Sequence, residues 1–293
     1  MLPLQPGILA PLPPVARSLL FSLSTPEDLA FALDNLRDLA DGKRTVVGIG
    51  LSTIQALGKN IPGLAQLKPR TAGGVDIPST PMALWCWLRG HDRGELLHRS
   101  RLIEDALAPA FLLEQALDTF VHNNGRDLTG YEDGTENPEG DDALHAAFVR
   151  DTSPGLNGSS FVALQQWEHD FARFESLEEE TQDNMIGRRR RDNEELEDAP
   201  ASAHVKRTAQ ESYTPPAFML RRSMPWIEGQ QGGLLFKSFG NSLRAFEAQM
   251  TRMSGEEDGI IDALFNFSRP VTGATFWCPP MHEGVLDLSL LAI

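Results

Sequence analysis

Two periods of hydrophobic positions organise this chain. The apolar run Val15–Leu23 (VARSLLFSL) reads as a strand. In the following Thr25-Pro26-Glu27-Asp28, Thr25 is placed to cap a helix, Pro26 suits its first position, and the two acids complement its dipole. Leu29, Leu33, Leu36 and Leu39 recur at helical spacing, and Gly42 marks the stop. Residues 45–51 (TVVGIGL) and 82–88 (MALWCWL) are further strands. Residues 95–107 carry Leu96, Leu97, Ile103 and Leu107 in a helical pattern, and a mixed segment at 111–122 closes the half.

The same order recurs. Residues 160–167 (SFVALQQW) are strand-like, residues 169–185 are helical with Phe171, Phe174 and Leu177 on one side, and residues 217–221 and 233–239 are two strands. Asn241 is placed to cap a helix carrying Leu243, Phe246, Met250 and Met253, and Ala274–Cys278 closes the set. β-α-β-β-α-β is the split unit of ferredoxin-like folds. No residue-level repeat relates the halves, but the element order predicts an α+β protein of two ferredoxin-like domains in tandem. Their expected bounds are 1–125 and 159–293, joined by a loop at 126–158. The Gly-, Asp-, Asn- and Pro-rich stretch 123–158 and the thirty-residue connection 186–216 fall outside the repeat. Connections of that length are commonly functional.

Composition narrows the function. A chain of 293 residues with 41% apolar content can bury a large core without staples. Its 41 acidic against 26 basic residues give a net charge of -15, which argues against a nucleic-acid partner. Cys86 and Cys278 stand far apart, so neither a disulfide framework nor a cysteine zinc site is expected. The N-terminal apolar stretch is broken by prolines and carries no basic residue before Arg17, unlike a secretory signal. No run approaches a membrane span. The expectation is a cytoplasmic protein without a membrane partner.

Three segments carry candidate chemistry. Gly130-Tyr131-Glu132-Asp133-Gly134, followed by Thr135-Glu136-Asn137-Pro138, reads either as a polar turn or as a loop presenting Asp133. It does not keep a calcium loop's register. Arg188 to Arg191 suggest a local anion in an acidic protein, or else a solvated run balanced by Asp192, Glu194 and Glu195. His204 follows, one of seven histidines. In Phe218 to Trp226 (FMLRRSMPW), strand alternation sends Arg221 and Ser223 to one face and Arg222 to the other, so that one arginine points inward while its neighbour is solvated.

Together, GYEDG with TENP, the GR…NEEL…AHVKR segment and LRRSMPW resemble the dye-decolourising peroxidases, specifically their B-type branch. The resemblance spans nearly the whole chain. It implies haem b as cofactor and a fold related to the chlorite dismutases, in the dimeric α/β-barrel-like superfamily. By resemblance, Asp133 matches the distal aspartate, His204 the axial ligand of the haem iron, Arg221 the distal arginine and Ser223 the polar residue two positions on, which is Asn in some relatives. Arg188 resembles a haem-propionate contact, and Leu234 and Phe236 resemble apolar residues lining the distal face. His91, His98, His122, His145, His169 and His282 are left to surface or structural duty.

These residue types suit peroxide chemistry. A carboxylate can take a proton from one peroxide oxygen and return it to the other. An arginine, always protonated, can only stabilise charge on the departing oxygen. An axial histidine needs an acceptor for its second N–H, and the acid set among apolar neighbours, Asp262, is the candidate. Tyr131, Tyr213 and the five tryptophans could pass electrons outward but read first as core. The implied partners are hydrogen peroxide and small-molecule reductants such as dyes and phenolics, oxidised in one-electron steps. A homo-oligomer is also implied. Members of the branch are often packaged in nanocompartments through a C-terminal tail; no long linker precedes the terminal GVLDLSLLAI, so a shell partner is not expected. A haem-handling protein without turnover would need His204 but not Asp133 or Arg221. A chlorite-dismutase-like activity is disfavoured by the GxxDG carboxylate. Free aspartate titrates near ~3.9 and free histidine near ~6.5. An aspartate relay therefore predicts that oxidation of added donors peaks at acidic pH, which rate–pH profiles of the wild type and Asp133→Asn will check.

Overall fold

The computed structural model describes residues 2–71, 73–150, 153 and 155–293. The first half runs β1 (Val15–Leu23), α1 (Leu29–Leu39), β2 (Thr45–Gly50), α2 (Leu51–Ala56), β3 (Leu84–Gly90), α3 (Arg93–Leu107) and β4 (Phe111–Phe120). After α4 (Gly140–Ala147) come β5 (Ser160–His169), α5 (Phe171–Glu175), α6 (Glu179–Ile186), α7 (His204–Thr208), β6 (Leu220–Arg221), β7 (Met224–Glu228), β8 (Gln231–Gly240), α8 (Arg244–Met253), β9 (Ser268–Pro270) and β10 (Ala274–Cys278). The fold is α+β.

These ten strands form one sheet, in the order β6-β8-β7-β4-β1-β3-β2-β10-β5-β9, and β8 also pairs with β5. The eight strands from β8 through β7, β4, β1, β3, β2 and β10 to β5 therefore close into a barrel-like ring. The halves are joined where Thr119 of β4 meets Trp226 of β7 and where Ile49 of β2 meets Trp277 of β10.

Strand alternation sorts the apolar residues into separate cores. Leu20, Trp85, Trp87, Val162, Leu235 and Phe276 share one cluster, inside the ring. Their neighbours Leu19, Phe21, Leu84, Cys86 and Leu88 belong to another, under Leu29, Leu33 and Leu36 of α1 and Leu96, Ile103 and Leu107 of α3. Both faces are thus buried, which is why the tryptophan-rich strand β3 is apolar without a break from Leu84 to Leu88. Ala163 and Trp167 of β5 pack with Phe246, Met250 and Met253 of α8, and Leu234 and Phe236 of β8 pack against that cluster.

Several local expectations are corrected. Thr25 makes no capping bond, and the turn after α1 is closed instead by Asp41, whose carboxylate accepts the amides of Lys43, Arg44 and Thr45. Asn241 caps nothing; its amide donates to the carbonyl of His145. The helix expected at 169–185 is broken between Glu175 and Glu179 into α5 and α6. The loop at 126–158 contains α4. Among the described residues, no helix is long and apolar enough to cross a membrane.

Candidate functional site

The loop that carries Asp133 is held against β6 by its own motif. Asn137 accepts the amide of Arg221 at 2.7 Å and donates to its carbonyl at 3.1 Å, so one side chain reads the whole peptide unit. Gln210 reinforces the contact, donating to the carbonyl of Glu136 and accepting the amide of Met219. Gly134 (φ +81°) takes the left-handed turn that brings the Asn137 amide back to its own carbonyl, a geometry costly for any residue with a Cβ.

On this frame Arg221 and Asp133 reach a common cavity. Neither side chain has a protein hydrogen bond or ion pair among the described residues, and the buried Nε of Arg221 has no partner. Arg222, expected to be solvated, instead donates to the carbonyls of Ile8 and Leu9 and is structural.

His204 opens α7 from the other long connection. Its Nδ1 lies 2.8 Å from Oδ2 of Asp262, whose side chain is fully buried and whose Oδ1 accepts the amide of Leu264. An ionised carboxylate is acceptor-only, so the bond assigns the proton to Nδ1. Nε2, left without a protein partner among the described residues, keeps its lone pair for a ligand.

These groups converge. A cavity is lined by Asp133, His204 and Arg221 together with Trp167, Leu234 and Phe236. Adjoining it is a second space lined by the same three polar residues plus Arg188 and Lys206. Polar side chains converging in a cleft whose exposed wall is mostly apolar are the form of a cofactor or substrate site. Ser223 lies on a neighbouring cavity shared with Asp133 and Arg221. It does not line the larger one, and its buried hydroxyl is unpaired.

The arginine run is balanced by carboxylates. Arg188 bonds Glu136 and Glu195, Arg189 bonds Asp192 and Glu194, Arg190 bonds Gln182, and Arg191 bonds Asp192. Arg188 faces the cavity, but its guanidinium is already engaged. The tyrosines and tryptophans are all buried; Tyr131 alone of the tyrosines lines the large cavity, its hydroxyl donating to Asp183.

The sequence reading passed over one polar pair in the cavity wall. His169 at the end of β5 is buried, with Nε2 3.0 Å from Oδ2 of Asp127 and Nδ1 2.7 Å from Oγ of Ser268. Asp127 is 42 residues away in sequence. The local signal was slight: a histidine ending a strand that already carries Gln165, Gln166 and Glu168.

Comparison with known proteins gives one answer. Residues 124–283 match the family model described as Dyp-type peroxidase, C-terminal. The chain is 32% identical over 249 residues to a dye-decolorizing peroxidase of Rhodococcus erythropolis, covering 82% of this chain and 73% of that one. It is 29% identical to a dye-decolorizing peroxidase of Mycobacterium tuberculosis, covering 93% and 87%. Among solved structures, a variant of Rhodococcus jostii DypB in complex with heme superposes with a TM-score of 0.84 at 26% identity, covering 92% of this chain and 94% of that one. A dye-decolorizing protein of V. cholerae superposes with a TM-score of 0.83 at 25% identity, covering 98% of each.

Proposed function

The chain belongs to the Dyp-type peroxidases, and from that premise we infer how its own residues serve the reaction. It is a haem-dependent peroxidase that uses hydrogen peroxide to oxidise reductants such as dyes and phenolics. The observation that carries the site is the convergence of a partner-free imidazole nitrogen, carboxylate and guanidinium on one apolar-walled cavity. That set fits the cofactor. An iron porphyrin asks for one axial nitrogen and apolar walls, and the orphaned, buried Nε of Arg221 is a donor waiting for an acceptor.

His204 is the proposed axial ligand. Asp262 holds its Nδ1 proton, fixes the ring's tautomer and makes Nε2 a stronger donor. When bound, haem would supply redox-active iron at which peroxide is reduced. Asp133 is proposed to hold the proton removed from one peroxide oxygen and return it to the other. Arg221 donates hydrogen bonds to the departing oxygen and carries no proton away. Ser223 is assigned a supporting place beside both, from its position on the cavity they share. Leu234 and Phe236 exclude water from the reacting side. Arg188 would meet a propionate only in exchange for Glu136 or Glu195.

The runs β4-β1-β3-β2 and β7-β8-β5-β10 are read as two ferredoxin-like units, residues 1–125 and 159–293, joined by the loop at 126–158. Each run has its first strand beside its third, its fourth outside the first and its second outside the third, and this shared order supports the reading. Self-association belongs to the same proposal, supported by the exposed apolar side chains of Phe31, Leu97, Leu102 and Leu112.

Hemin titration followed by peroxide tests the function. The wild type is expected to bind one hemin with the absorption of a histidine-ligated haem and to oxidise a dye on addition of peroxide. His204→Ala is expected to lose that absorption signature. A wild type that refuses hemin, or binds it and turns nothing over, would refute the reading.

A further inference from the structure

Peroxide reduction consumes two protons: H2O2 + 2 e⁻ + 2 H⁺ → 2 H2O. A donor too bulky for the cavity delivers its electrons from outside and leaves its protons in bulk solvent. Two protons must then cross the protein wall for each peroxide consumed. Asp133 can hold one proton at a time, and Arg221 never releases its own. The site as described shuttles a proton internally but has no inlet.

Resting on the peroxidase reading, we propose that Ser268, His169 and Asp127 form a proton inlet from a surface groove to the catalytic cavity. His169 and Ser268 line the cavity that holds Asp133, His204 and Arg221. The same two residues also line a groove on the outside, among Glu168, Asp170, Gln231 and Arg269. The imidazole thus sits in the partition between the two spaces. Its side chain is 5% exposed, and Phe171 and Phe267 lie against it with ring centroids at 5.7 and 5.8 Å.

The hydrogen bonds have the polarity a relay needs. Asp127 accepts on both oxygens: Oδ1 takes the amide and hydroxyl of Thr129 at 2.9 and 2.6 Å, and Oδ2 faces Nε2 of His169. Burial raises the pKa of Asp127, but His169 and Thr129 outweigh it and hold the carboxyl below its usual range. Asp127 is therefore an anion at rest, ready to accept a proton. In the neutral ring with Nε2–H, Nδ1 accepts from the Ser268 hydroxyl; in the cation, that hydroxyl turns and accepts. Both charge states of the ring are satisfied without moving a heavy atom.

A proton entering from the groove is taken up at Nδ1 through Ser268. The Nε2 proton passes to Oδ2 of Asp127, which also lines the cavity and releases it there towards Asp133. A half-turn about Cβ–Cγ releases both nitrogens from Ser268 and Asp127; the neutral ring gives its Nδ1 proton to water, takes one at Nε2, and turns back to the same partners, which resets the relay. One proton enters and one leaves, with no change in bonding elsewhere.

The test uses the haem-loaded full chain and ferrocyanide, a donor that carries electrons but no proton. In His169→Gln, which keeps a donor towards Asp127, and in Ser268→Ala, reduction by ferrocyanide is expected to slow at least about 10-fold. The solvent isotope effect on that step should rise, while the reaction with peroxide, which needs no net proton, stays within about two-fold. Deuterium exchange at the imidazole carbon of His169, read by mass spectrometry without turnover, should be measurable in the wild type and slow in Ser268→Ala. Ferrocyanide reduction at the wild-type rate in both variants overturns the inlet, and so does equal slowing of the peroxide step, which marks a merely structural role. Ser268→Ala decides alone if the glutamine variant does not fold. A wild type that never turns over indicts the peroxidase reading instead.

Discussion

Arg221→Ala is expected to slow the reaction with hydrogen peroxide by about 10²–10³-fold, the usual effect of removing one donor from a charge-stabilising site. Among the described residues the guanidinium is the one permanent cation lining the cavity it shares with His204 and Asp133, and no protein group competes for it. Its backbone is gripped by Asn137 on both sides, so the side chain enters the cavity from a fixed base and little reorganisation is needed when charge develops. Hemin affinity should hold within a few-fold, because His204, the residue proposed to hold the iron, and its partner Asp262 are untouched. Arg221→Lys should recover little, since an ammonium lacks the planar fork. Arg222→Ala is the contrasting control. It unties the chain near Ile8 and Leu9, so it should lower stability while sparing the peroxide step. Stopped-flow rates against peroxide concentration read the effect; a loss under about five-fold for Arg221→Ala would remove that residue from the chemistry.

What could be read in the sequence divides by range. Strands with both faces buried announce themselves as predominantly apolar runs, and β1 and β10 have the bounds expected of them. α4 was hidden because its sequence, GDDALHAA, is short and begins with glycine and acids, so it looks like the loop around it. The break between α5 and α6 keeps apolar residues at helical spacing on both sides, and periodicity alone bridges such a gap. Asp262 could be singled out because an acid between Ile261 and Ala263 is out of place. Asp127 and His169 could not, since each is ordinary in its own segment and becomes unusual only when the fold brings them to 3.0 Å. The arginine run left two readings open; Asp192, Glu194 and Glu195 do balance it, but the carboxylates on Arg188 also include one, Glu136, 52 residues away, which no local reading could supply.

Lys237→Met is expected to stabilise the protein at neutral and mildly acidic pH by roughly 3–5 kcal/mol, the scale of an uncompensated buried charge. Lys237 lies in the middle of β8, fully buried inside the ring beside Trp87, with its ammonium 5.1 Å from that indole; it donates to the Leu235 carbonyl at 3.3 Å, and among the described residues no carboxylate pairs with it. Burial pulls its pKa down to about 7; Asp133 raises it and Arg89 lowers it further. In the unfolded chain the same lysine titrates near ~10.4. The folded pKa is the lower of the two, so between about pH 7 and about pH 10 the unfolded state holds more protons and stability rises with pH. Below about pH 7 both states are charged and the whole cost of burying the ammonium is present. The advantage of the methionine variant should therefore be greatest near pH 6 and fade towards pH ~10. Urea unfolding at those pH values, with an unchanged m-value, measures it. If the two stability curves run parallel across the whole range, the lysine is not a buried base. The cation–π contact with Trp87 offsets only about 0.5–2 kcal/mol of the cost. An acidic protein thus keeps a destabilising base beneath the loop that presents Asp133, and the variant should also alter the electrostatic surroundings of that carboxylate.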